Sequence, residues 1–170
     1  MRKAVYTVIA LLLPLVLCAC GLSEEELRER AIGQLNRNSD LPFSLILPET
    51  ELGDVSAYSR GGGWGCWSLF NEDADITLSG WPDVLDSYCV TDIRLRTAKY
   101  SVFGLRVGDT AARAGELLEP KGYELVPDVR GWGDAYYLKD GVIIHLELSG
   151  EEITELTVYV QSTNLEGVDF

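Results

Sequence analysis

Cys20 is the residue of this chain best placed for covalent chemistry. Arg2 and Lys3 open the sequence, Ala4 to Leu17 is apolar, and small Ala19 stands immediately before the thiol. Basic start, apolar run and small residue at the cut are what secretion and cleavage require. The apolar run is shorter than the roughly 20 residues of a membrane-spanning helix, and bulky Leu17 makes Cys18 the poorer acceptor. Cleavage before Cys20 therefore makes it the first residue of the mature chain. Other reactive types are sparse. His145, the single histidine, lies between Ile144 and Leu146 with no Ser or Cys motif near it, which reads as a surface or packing residue rather than a general base. Asn71-Glu72-Asp73-Ala74-Asp75 has calcium-like carboxylates but lacks the glycine and distal glutamate of a calcium loop, and reads as a polar hairpin turn. Gly61-Gly62-Gly63 lacks the Lys-Ser/Thr of a phosphate cradle. Asp83 with Asp86, or Glu151 with Glu152, could serve glycosidase chemistry, but 27 acids make chance pairs expected. No metal or cofactor site is indicated.

The run Leu17-Cys18-Ala19-Cys20-Gly21 resembles the lipobox of exported bacterial lipoproteins. That resemblance implies a signal peptide over residues 1–19, lipid on Cys20, and a protein anchored to the cell membrane on its extracytoplasmic side. Removing 19 residues from 170 leaves 151, enough for one ordinary domain or two very small ones. Loss of Arg2 and Lys3 leaves 12 basic residues against 27 acids, a net charge of −15. Such a surface repels nucleic acid and anionic headgroups. Only Cys66 and Cys89 then remain as thiols, and two thiols in an exported chain suggest a disulfide.

The elements that must position these residues can be read in outline. Ser23 followed by three glutamates forms a capping box, with a helix expected from about Glu24 to Arg37 and an apolar stripe of Leu27, Ala31 and Leu35. This helix either docks on the domain or forms a stalk at the membrane. From Leu41 onward short strands alternate with turns, and the chain repeats itself. Phe43 to Thr50 matches Phe103 to Thr110, Gly63-Trp64-Gly65 matches Gly131-Trp132-Gly133, and Ile76-Thr77-Leu78-Ser79-Gly80 matches Leu146-Glu147-Leu148-Ser149-Gly150, in preserved order. The expected organisation is a lipidated N-terminus and helix over 20–40, a first α+β repeat over 41–100 and a second over 101–170. In the second, a leading strand Val102 to Val107 precedes a helix capped by Asp109 or Thr110 and stopped by Pro120 and Gly122. Strands then follow near 135–138, 142–148 and 154–160, the first turning into the second at Asp140-Gly141. In the first, a remnant helix near 50–56 precedes strands near 66–70, 74–79 and 89–96; Cys89, Ile93 and Leu95 are expected to alternate inward, which suits a Cys66–Cys89 bridge between strands.

The stretch Phe103-Gly104-Leu105-Arg106-Val107-Gly108-Asp109-Thr110, a short helix and a meander resemble the SmpA/OmlA (BamE-like) small lipoproteins of outer-membrane barrel assembly. A tandem pair of such units is similar to the β-lactamase inhibitory protein, which binds through the face of its sheet. The chain as a whole resembles lipoproteins of Gram-positive bacteria. It departs from the barrel-assembly proteins in its second copy and expected disulfide, so their partner is not implied. The expected function is a non-catalytic binding or structural module of the cell envelope with an envelope protein as partner. Inhibition of a secreted enzyme is the alternative, and a carboxylate-based envelope hydrolase is a weaker one. Trp64, Trp67, Trp81, Trp132, Tyr136 and Tyr137 cluster around the two Gly-Trp-Gly turns. Trp64, Trp67, Trp132 and Tyr136 are the expected partner-binding residues.

Overall fold

The computed structural model describes residues 21–63, 65–80, 88–126 and 133–161. It is an α+β fold built on one eight-stranded antiparallel sheet. Helix α1 (Glu24–Asn38) is followed by β1 (Ser59–Gly63), β2 (Cys66–Phe70), β3 (Ala74–Gly80) and β4 (Tyr88–Leu95). Helix α2 (Ala111–Leu118) then precedes β5 (Glu124–Val126), β6 (Ala135–Lys139), β7 (Val142–Ser149) and β8 (Glu152–Val160). The spatial order is β1-β2-β3-β4-β8-β7-β6-β5. Each half is thus a helix followed by a four-stranded meander, and the last strands of the two meanders pair to close a single sheet.

Alternation along the strands explains where the core sits. Ala74, Ile76 and Leu78 of β3 face the same side as Val90, Ile93 and Leu95 of β4, Leu156, Val158 and Val160 of β8, and Val142, Ile144 and Leu146 of β7, and all are buried. The helices cover that side through Ala31, Leu35, Ala114 and Leu118, and the connections contribute Leu45, Leu52, Val102, Phe103 and Leu105. The expected inward register of Cys89 with Ile93 and Leu95 fails because Thr91 is an extra residue in β4. Leu78 pairs with Val90 and Thr77 with Asp92, so Val90 turns to the core and Cys89 to the opposite face.

A second bulge lies at Glu147/Leu148, where Thr154 is the extra residue of β8. The two irregularities, Thr77/Leu78 and Glu147/Leu148, fall at matched positions of the segments that end Leu-Ser-Gly. A threonine hydroxyl serves each: Thr91 meets the Thr77 carbonyl at 3.5 Å, and Thr154 donates to that of Glu147 at 3.2 Å.

Helix α1 forms as its residues dictate. The Glu26 amide donates to Ser23 Oγ at 3.2 Å, and the Ser23 amide donates to Glu26 Oε2 at 2.8 Å, closing the capping box. The helix docks: Asn36 exchanges two hydrogen bonds with the Leu45 backbone, and Lys139 Nζ donates to Gln34 Oε1 at 2.7 Å. Thr110 caps α2 by accepting from the Arg113 amide, and Gly122 ends the following turn at φ 84°.

Two expected elements differ. Val102 to Val107 is not a strand: Val102 and Leu105 exchange two 2.9 Å backbone hydrogen bonds across Phe103 and Gly104, both at positive φ. That is a two-residue reversal, in which an extended run cannot continue. The remnant helix near 50–56 shrinks to a single turn, Glu49–Glu51, and α1 is the helix of the first half.

Candidate functional site

The second face of the sheet holds none of the buried core cluster. Along one row Phe70, Asp75, Arg94, Thr157, His145 and Tyr136 stand opposite one another in turn across six strands, with Ser59 of β1 and Val126 of β5 beyond them. Five inter-strand spacings separate Phe70 from Tyr136 by about 24 Å. The adjacent row runs Ser68, Thr77, Asp92, Tyr159, Ile143 and Leu138. This surface of charged, hydroxyl and aromatic side chains, with apolar Ile143 and Leu138 toward β6, backs the apolar core.

Its charged groups interlock. Asp75 is paired with Arg96, and Arg94 Nε approaches Glu155 Oε1 to 3.1 Å. That contact has ion-pair distance but not hydrogen-bond alignment; Glu155 Oε1 and Asp75 Oδ1 are buried atoms without a hydrogen-bond partner among the described residues. Asp92 lies between Thr77 and Tyr159 on the neighbouring strands. Burial pushes its carboxyl up to about 6, with Asp75 adding to the rise and Arg94 and His145 opposing it. Burial also raises Glu155; Arg94 opposes this and Glu147 reinforces it. His145 Nε2 is 3.0 Å from Asp134 Oδ2, and the imidazole stacks on Tyr136 with ring centroids 4.4 Å apart and planes 2° from parallel. Chemically, this face can offer hydrogen-bond acceptors and negative charge to a ligand while flat rings flank it.

The residues expected from sequence are distributed differently. Tyr136 lies on this face. Trp67 belongs to the other side, packed half-buried against the core beneath the guanidinium of Arg60, 5.1 Å from its ring centroid. It forms part of the packing rather than an exposed anchor. Cys20, Trp64, Trp81, Trp132, Asp83 and Asp86 lie outside the described residues.

Cys66 and Cys89 are not bonded to each other, contrary to the expected disulfide. Ser79 pairs with Cys66 on one side and with Cys89 on the other. A whole strand separates the thiols, about 10 Å between backbones, whereas a bridge needs less than about 7 Å. Cys66 is exposed and Cys89 buried, where burial raises its thiol.

Asn71 works as the turn residue: its Oδ1 accepts from the amides of Asp73 and Ala74, while Asp73 holds Thr97 and Lys99. Among the described residues no three ligand side chains converge as a metal site, and no helix is long and apolar enough to cross a membrane. Asp92, Arg94 and Glu155 were not singled out by sequence, and Asp75 was weighed only within the polar run Asn71 to Asp75. Their signal is the alternation in Asp92-Ile93-Arg94-Leu95 and Glu155-Leu156-Thr157-Val158, whose polar members must share the face opposite the core. No protein-family model, curated protein or solved structure matches the chain.

Proposed function

We propose that this protein is a lipid-anchored, extracytoplasmic binding module, that Cys20 carries the anchor, and that the open sheet face receives an envelope protein. The carrying observation is that face. Phe70 and Tyr136 flank a run of charged and hydroxyl side chains, and partly buried Asp92 stands in the next row with its carboxyl raised by burial. A surface that only needed solubility would leave its carboxylates hydrated instead of raising them by burial. The anchor rests on the lipobox resemblance. The finer architecture, two BamE-like units in tandem, is supported by the two helix-plus-meander halves and their matched bulges.

The test is crosslinking in cells with a photoreactive residue at Phe70 or Tyr136, and at exposed Arg113 of α2 as the control. One dominant envelope protein should be captured from the face positions, and lost on Cys20→Ala. Equal capture from Arg113, or none from the face, would refute the reading.

A carboxylate hydrolase is the second reading, favoured by Asp92 and Glu155 sharing one face with both carboxyls raised by burial. It requires that envelope glycans be cleaved by the chain, and that both Asp92→Asn and Glu155→Gln abolish the turnover.

A further inference from the structure

We propose that the occupant of the open face is a basic, extended protein segment, with lysine or arginine side chains meeting Asp92, Asp75 and Glu155. This deepens the binding-module reading and rests on it. The argument is charge complementarity. Asp75, Asp92, Asp134, Glu147 and Glu155 lie on or beside the face, against the guanidiniums of Arg94 and Arg96. The excess is negative where side chains are partly enclosed, so screening by salt is weaker than at an exposed rim. Anionic ligands are repelled, in line with a chain of net charge −13. A neutral glycan would leave the excess charge uncompensated. A bare metal ion lacks three converging ligands among the described residues. Cations delivered by side chains remain.

The shape sets the length. Bridging about 24 Å from Phe70 to Tyr136 takes roughly seven residues in extended form, and the half-exposed guanidiniums of Arg94 and Arg96 can swing aside for incoming cations. The aliphatic stems of lysine and arginine suit the rings of Phe70 and Tyr136.

The probe is a fluorescent eight-residue peptide alternating lysine and alanine, titrated into the full chain in neutral detergent and read by anisotropy. The glutamate-alanine counterpart is the negative control. Asp92→Asn and Glu155→Gln should each weaken binding about fivefold. Glu24→Gln with Glu25→Gln, which removes twice the charge from the exposed start of α1, should weaken it less than about twofold. Unfolding midpoints of every variant show that the fold persists. Binding that falls as much with the helix variant as with the face variants overturns the proposal, because general acidity would then explain it. If the lysine peptide fails to bind while Phe70 still crosslinks to a partner in cells, the basic segment is wrong and the binding face stands. If both fail, the binding face falls as well.

Discussion

Replacing Asp92 by asparagine should stabilise the chain at neutral pH, against the usual effect of altering a partly buried charge. The carboxyl is raised from 3.8 to about 6, chiefly by burial. Below pH 3.8 the group is protonated in the folded and the unfolded chain alike and has no effect on their balance. Between 3.8 and about 6 the folded chain keeps a proton that the unfolded chain releases, so stability falls as pH rises through that window. Above it the loss is complete. At 1.36 kcal/mol per unit the upper value is about 3 kcal/mol. Partial exposure of the side chain brings the expected effect to about 1–2 kcal/mol. Asparagine has no charge to bury and matches the shape. Urea unfolding of both chains at pH 4, 5, 6 and 7 measures the difference; carboxylates held below their ordinary range, such as Asp73 and Glu26, act the opposite way in both chains and cancel. The midpoints should nearly coincide at pH 4 and separate by about 0.5–1 M at pH 7, with the variant higher. A variant less stable at pH 7, or a difference that does not change with pH, would refute the reasoning and make Asp92 a paired, stabilising ion.

Three further outcomes follow from local geometry. Gly62→Ala should cost about 2 kcal/mol or more in urea unfolding, because φ is 146° and a Cβ there would stand 2.5 Å from Trp67 Cα, forcing β1 off β2. Ser23→Ala removes the cap that accepts from the Glu26 amide and should lower stability by about 1 kcal/mol, with helical signal lost by circular dichroism. Native chain treated with a maleimide should be labelled quickly at exposed Cys66 and at buried Cys89 only after unfolding; protection of both until a reductant is added would show that they are bridged after all.

Elements whose cause is local were legible from the residues. The capping box of α1, Thr110 at the start of α2, the Asp140-Gly141 reversal and the strands over 66–70 and 142–149 are each written within a few neighbouring positions. What failed depends on register. Reading 89–96 as strict alternation put Cys89 with Ile93, but one extra residue at Thr91 exchanges the two faces, and with them the basis for a disulfide. The reversal at Phe103-Gly104 escaped because phenylalanine at positive φ is rare, and the run 102–107 looks like a strand. The candidate site stayed hidden for a related reason. Asp75, Asp92, Arg94 and Glu155 are ordinary solvent-side residues until β4 pairs with β8, a contact between chain segments some sixty residues apart that local pattern does not contain.

The position of the proposed anchor has a consequence for how the face is presented. Between Cys20 and the Ser23 cap lie only Gly21 and Leu22, a reach of roughly 10 Å even when extended. Helix α1 is docked on the core side through Ala31, Leu35 and the two Asn36 bonds to Leu45. A lipid on Cys20 therefore holds the start of this helix, with Glu24, Glu25 and Glu26 in its first turn, at the headgroups. Those carboxylates repel an anionic membrane and favour the positive end of their own helix, so they oppose the body lying flat on the bilayer through this end. Because α1 and the open face occupy opposite sides of the sheet, a short tether restrains the covered side while the charged rows remain available to a partner. Lengthening the tether by a flexible insert between Gly21 and Leu22 should preserve capture of a soluble basic peptide, since the face itself is unchanged. It should weaken crosslinking to a membrane-bound partner, since a longer tether lowers the effective concentration at which the face meets it. Crosslinking insensitive to tether length would mean that the anchor delivers the protein to the membrane without orienting its face.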